Sequence, residues 1–326
     1  MQQETRSFLR RLIGCLGIIA LLTTYLSACS IGAGNNTSQP IPIQPTPSVS
    51  GNTPTPGGSG SGATMEQLNL LFTYASLDIT ITSVQYAQRF SDDARGGGRV
   101  AFKETAGPKS GGFLYGDVVR LILPDQSVVA PSNAQYSGSP DRGTARTNWI
   151  DFPVTSQPAD LSQLVLQVGT AQENQMHIPL HAGADLSQYQ PKTANLNLPI
   201  HYGGLNWTLL TATQSLSAGS RQADRGMRYV VVTLNVDNPT SGNVNIGFVG
   251  EYMRLKSGEI TNSPISAYGR DSTLPTTITA HQTGVSGTVT FLMPENTSAF
   301  TLMFLVAHGG ADPVSNVQVT TDFTIA

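Results

Sequence analysis

From Met65 onward, apolar and polar residues alternate one by one, and turn-forming residues interrupt the alternation at intervals of about ten positions. Between Arg228 and Asp237, Val230, Val232, Leu234 and Val236 fall on one face, while Tyr229, Val231, Thr233 and Asn235 fall on the other. Val285, Val289, Phe291 and Met293 repeat the pattern, as do Leu302, Phe304 and Val306. Only an extended chain with a period of two puts such residues on one side, so the folded part reads as half-buried antiparallel strands. Helical periodicity is almost absent, apart from one short turn expected around Asp160 to Gln163. Charged residues make up 12% of the chain, and 33 Gly with 20 Pro disfavour long exposed helices.

The strand pattern occurs twice. Leu77-Asp78-Ile79-Thr80-Ile81 parallels Leu205-Asn206-Trp207-Thr208-Leu209, Arg120-Leu121 parallels Arg254-Leu255, and Ile150-Phe152-Val154 stands where Val289-Phe291-Met293 does. The spacing therefore predicts an all-β fold of two sandwiches in tandem, at 65–180 and 205–326, joined by a connector at 181–204. The second core is expected to hold Trp207, Val230, Val232, Leu234, Phe291 and Phe304, with Tyr229, Val231 and Thr233 facing outward. Leu77, Ile79 and Ile81 share one phase and Val84 and Tyr86 the other, which predicts a bulge near Ser83.

The first 64 residues have a different character. Arg6, Arg10 and Arg11 precede an apolar run from Leu12 to Leu22, shorter than the about 20 residues of a membrane span, and Leu26-Ser27-Ala28-Cys29 follows. This ending resembles the lipobox of bacterial lipoproteins. The resemblance implies that 1–28 is a removed signal peptide and that Cys29 carries the lipid, holding the chain to the outer face of a cell membrane. Cys15 lies within the discarded segment, so the mature chain would hold no disulfide. Residues 29–64 read as a disordered linker: from Ser30 to Thr64, 24 of 35 residues are Pro, Gly, Ser or Thr, and none is charged or aromatic.

The second half also resembles the extracytoplasmic immunoglobulin-like domains of bacterial lipoproteins, a class of largely unknown function similar to the secreted mycobacterial immunogenic antigen. The residues that carry the likeness are Arg228 to Thr240, Arg254-Leu255 with the turn Ser257-Gly258-Glu259, and Gly284 to Pro294. The resemblance implies a sandwich fold outside the membrane and assigns no catalytic residue. The first half departs from it at Lys103 to Pro108.

Eighteen Lys and Arg against 21 Asp and Glu supply no field for a phosphate backbone, so nucleic acid is not an expected partner. Neither a Gly-x-Ser-x-Gly elbow nor a Cys-His pair exists, and the chain is not expected to be an enzyme or to need a cofactor. His177 and His181 flank Pro179, which would set them about 13 Å apart on a strand, so they do not form a metal pair by themselves. The Asp237 to Asn243 segment is rich in oxygen ligands but has turn composition. Arg95 to Arg99, and Arg221, Arg225 and Arg228, place basic loops at matching points of the two halves. The expected function is a lipid-anchored extracytoplasmic binding or structural protein that recognises an envelope or extracellular component. The alternative is a small-ligand or metal carrier using His177 to His201.

Overall fold

The computed structural model describes residues 63–92, 95–158, 160–265, 274–306 and 317–326, all within one compact unit, Pro54–Ala326. The expected signal peptide 1–28, Cys29 and the expected linker up to residue 62 lie outside the described residues. Among the described residues, no helix is long and apolar enough to cross a membrane.

The chain is all-β. The first copy comprises β1 (Thr64–Tyr74), β2 (Leu77–Ala87), β3 (Gly97–Ala106), the single helical turn α1 (Tyr115–Val118), β4 (Val119–Ile122), β5 (Val128–Val129), β6 (Asn133–Ala134), β7 (Ala145–Phe152), β8 (Val165–Val168) and β9 (Met176–Pro179). The second comprises β10 (Lys192–Tyr202), β11 (Leu205–Ser215), β12 (Ser217–Ala218), β13 (Arg221–Gln222), β14 (Met227–Asp237), β15 (Val244–Asn245), α2 (Val249–Tyr252), β16 (Met253–Ser257), β17 (Ile260–Asn262), β18 (Thr277–Ile278), β19 (Val285–Pro294), β20 (Ala299–Phe304) and β21 (Val319–Thr324). The first sandwich faces sheet β1-β2-β3-β7-β6 with sheet β5-β4-β8-β9, and the second faces β10-β11-β14-β19 with β17-β16-β20-β21. Apart from the short β6, the two orders are the same. Both are immunoglobulin-like in having two antiparallel sheets face to face, with an order of their own, because the second and third strands stay in one sheet.

The duplication extends to irregularities. The β2–β3 ladder shifts register between Ile81 and Ser83, where the sequence predicts a bulge, and the β11–β14 ladder shifts between Leu209 and Thr211. The β1–β2 shift at Gln67/Leu70 is matched by the β10–β11 shift at Asn195/Leu198. In the first copy Arg120 donates to Gly116 O and Val119 O, both at 2.7 Å. In the second, Arg254 donates to Gly250 O at 2.9 Å and to Met253 O at 2.6 Å. Each arginine thereby satisfies carbonyls left open around a one-turn helix. The expected turn at Leu161–Gln163 is a 3-10 turn, capped by Asp160 accepting from Ser162 N at 2.9 Å.

Two expectations need correction. Much of the connector 181–204 is strand: Lys192–Tyr202 is β10, the edge of the second sheet. Ala194, Leu196, Leu198, Ile200 and Tyr202 turn inward there, and Pro199 is accommodated because an edge strand leaves one row of amides unpaired. The departure at Lys103 to Pro108 does not break the first copy, since β3 runs evenly to Ala106. Its inward row is Val100, Phe102, Glu104 and Ala106, so a carboxylate enters the core.

Each copy has its own apolar core. All six residues expected in the second core are there, fully or almost fully enclosed. The outward row is only partly as expected. Val231 and Thr233 are half-buried, but Tyr229 is buried, its hydroxyl donating to Gln222 O at 3.3 Å, because the β12–β13 hairpin folds over it.

Candidate functional site

The β12–β13 hairpin has no counterpart among the described residues of the first copy and joins the two sandwiches. It closes on itself through Ala223 N donating to Leu216 O at 2.7 Å and Ser217 Oγ donating to Gln222 Oε1 at 2.7 Å. Leu216, at its base, packs into the first copy's core rather than its own. Gln222 reaches across in both directions, accepting from Ala75 N and donating to Asn174 O, each at 3.4 Å. Asn174 N donates to Ala223 O at 2.7 Å and Arg225 N to Gln172 O at 2.9 Å. The Asn174 amide donates to Met227 O at 3.0 Å and to Glu295 Oε2 at 2.5 Å. Gly111 lies so close to the hairpin that a Cβ there would stand 2.3 Å from Ser220 O. Backbone bonds, side-chain bonds and one apolar anchor thus fix the same orientation.

Beside the hairpin, the docking leaves a cleft of about 660 Å³. Its first-copy wall is Tyr74, at the end of β1, with Phe113 and Glu173 on adjoining loops, and Tyr74 and Phe113 meet edge to face at 4.9 Å. The second-copy wall is Ser220, Arg221, Gln222, Asp224 and Tyr229, backed by Leu292. Glu173 Oε2 accepts from Tyr74 Oη at 2.9 Å and from Thr170 N at 2.7 Å, which holds the carboxylate in place. Burial, and then the bond to Glu173, push the Tyr74 phenol well above its ordinary range. The Tyr229 phenol is raised in the same way, first by burial and then by the charge of Asp224. Both phenols are therefore neutral donors at physiological pH.

One wall of the cleft rests on a buried polar network. Glu104, with no exposed surface, accepts from the Tyr115 hydroxyl, from Asn148 Nδ2 at 3.0 Å and from Arg146 Nε at 2.5 Å. Arg146 also donates to Gly138 O and lies over the Tyr136 ring at 4.3 Å, while Asn148 Oδ1 accepts from Tyr136 N at 3.0 Å. The loop held by these bonds in turn holds the cleft: Ser139 N donates to Phe113 O at 2.9 Å and Phe113 N to Ser139 Oγ at 3.2 Å. Strand registers place Val236 and Val285 of the second copy where Glu104 and Arg146 stand in the first. At this pair of positions the first copy carries polar groups where the second carries apolar ones. Sequence reasoning missed this network, although Glu104 interrupting the apolar phase of β3 was its visible sign.

The residues singled out from sequence are dispersed. The arginines of the two basic loops have different surroundings. Arg99 is clamped by Asp151 at 2.6 Å and Asp92 at 2.8 Å, between the rings of Phe90 and Trp149 at 4.0 and 3.9 Å. Arg225 and Arg228 donate across the junction to Ala171 O and Gln188 O. Of that set, Arg221 lines the cleft. His177 is on β9 and His201 on β10; His181 Nδ1 bonds Ala182 O at 3.1 Å and His201 Nδ1 bonds Asn206 Oδ1 at 2.9 Å. Among the described residues, no group of three or more His, Cys, Asp or Glu side chains is placed to hold a metal ion. The oxygen-rich segment from Asp237 to Asn243 is a turn organised by buried Asn238, whose Oδ1 accepts from Thr240 N at 2.9 Å and whose amide donates to Gly242 O at 2.8 Å.

No protein-family model matches the chain, and no curated protein does. Among solved structures, it is similar to a functionally unknown protein from Listeria monocytogenes EGD-e, at 12% identity and a TM-score of 0.30, over 44% of this chain and 89% of that one. It is also similar to a conserved domain protein from Bacillus anthracis, at 9% identity and a TM-score of 0.24, over 79% and 90% of the two chains.

Proposed function

We propose that this chain is a non-catalytic binding protein of the cell envelope, held at the outer face of a membrane by lipid on Cys29. In this reading it recognises an envelope or extracellular component through the cleft between its sandwiches. The observation that supports the reading is that the cleft is built in advance. Its walls come from both copies, and the hairpin, Asn174 and Leu216 fix them relative to each other, so little ordering remains to oppose binding. Asn174 and Leu216 hold the orientation from outside the lining, Glu173, Arg221 and Asp224 line the opening, and Gln222 does both, so the binding surface rests on a rigid scaffold. The linker that begins at Cys29 and ends before β1 serves as the stalk that sets the module away from the lipid.

Site-directed photo-crosslinking on intact cells tests the proposal. A photoreactive residue at Ser220, in the cleft, should give adducts that are absent when it is placed at exposed Thr147, outside the cleft lining. Equal adducts at both positions, or none at Ser220, would overturn the assignment of the cleft. Cys29→Ser should abolish incorporation of labelled fatty acid; persistent label would remove the anchor from the account.

A further inference from the structure

Resting on the reading of the cleft as the binding site, we propose that its ligand is a saccharide that is neutral or carries an amino group. The volume, about 660 Å³, lies within the range of small-ligand sites and is too restricted for a folded partner. The chemistry of the walls narrows the class. Glu173 and Asp224 present two carboxylates and Arg221 one guanidinium, so a phosphate or sulfate group would meet more like charge than opposite charge. A purely apolar ligand would strip water from those carboxylates and return no hydrogen bond. A peptide that binds by adding a strand needs a free sheet edge, whereas the walls here include a hairpin tip and the loops carrying Phe113 and Glu173.

A sugar ring satisfies both kinds of surface. Its hydroxyls donate to carboxylates and accept from a guanidinium, and its C–H face packs on apolar and aromatic groups such as Phe113. Glu173 is already oriented for the first role, because Tyr74 Oη and Thr170 N hold one of its oxygens at 2.9 and 2.7 Å. An ammonium substituent would find the same two carboxylates, which extends the class to amino sugars and away from acidic ones.

The test is calorimetric titration of the acylated protein in detergent with cellotetraose and chitosan tetrasaccharide, and with inorganic phosphate as the anionic control. Saturable binding of at least one saccharide is expected. Asp224→Asn and Glu173→Gln should each weaken it by about tenfold, the loss of one charge-assisted hydrogen bond, without lowering the melting temperature. Phosphate should give no saturable heat. The proposal is overturned if neither tetrasaccharide binds, if phosphate binds instead, or if both variants bind as the wild type does. Protein adducts at Ser220 in the crosslinking experiment, together with silent saccharide titrations, would retain the cleft as a binding site and discard only the saccharide.

Discussion

Replacing Glu104 by Val gives the first copy the side chain found at the matching position of the second, Val236. In isolation the change should nevertheless be severe. Three donors lose their acceptor at once: the Tyr115 hydroxyl, Asn148 Nδ2 and Arg146 Nε. Removing one partner of a buried ion pair costs about 3 to 5 kcal/mol, and the 25% exposure of the Arg146 side chain puts this case near the lower end, about 3 kcal/mol. Glu104→Gln keeps an acceptor for Tyr115 but no charge for Arg146, and should cost about 1 to 2 kcal/mol. The double variant Glu104→Val/Arg146→Val reproduces the apolar pair Val236/Val285 and should recover about half or more of the single loss, because no charge is left stranded. Urea unfolding followed by fluorescence measures all three, since the two tryptophans, Trp149 and Trp207, report one copy each. A Val substitution milder than the Gln substitution, or a double variant whose loss is the sum of two single losses, would refute the network as described.

Gly111→Ala should loosen the junction, since its Cβ would stand 2.3 Å from Ser220 O, whereas Gly112→Ala has nothing within 4 Å. Limited proteolysis near Pro191 should accelerate in the first variant only, and equal rates would count against the close approach. Phe291→Ala, in the enclosed second core, should cost about 3 to 5 kcal/mol, while half-buried Val231→Thr costs less than about 1.5; equal small losses in urea would mean the faces are wrongly assigned. Tyr252 is fully buried and its hydroxyl has no partner among the described residues, so Tyr252→Phe should not lower the melting temperature, whereas Tyr115→Phe, which removes the bond to Glu104, should lower it. Burial pushes the phenols of Tyr74, Tyr115 and Tyr252 well above their ordinary range, and that of Tyr202 up to about 12. Their contribution is complete below about pH 10, where unfolded tyrosine begins to ionise, and is lost as pH rises toward the folded values. Unfolding free energies compared at pH 8 and pH 11 should therefore fall, and an unchanged value would contradict neutral buried phenols.

The architecture was legible because it is written in alternation, which one residue at a time shows directly. The six core residues, the phase change at Ser83 and the correspondence of Ile150-Phe152-Val154 with Val289-Phe291-Met293 all come from that one period. Strand β10 carries the same alternation but includes Pro199, which only its place at a sheet edge makes acceptable. The cleft was not legible. It joins residues about 150 positions apart, such as Tyr74 and Asp224, and depends on a hairpin too short to show a period of its own. The surroundings of the arginine clusters were not legible either, because composition registers charge without its partners. Arg99 faces two aspartates and two rings, which no local spacing reveals.

The two sandwiches form one rigid body with the cleft already open between them. Residual dipolar couplings of backbone amides test it directly, because each copy reports its own orientation in an aligned medium. Couplings from 64–179 and from 192–324 should fit a single alignment tensor, with the orientation set by Gln222, Asn174 and Leu216. Two tensors of different magnitude would show copies that reorient independently, and a cleft assembled from both would then not exist as a preformed site.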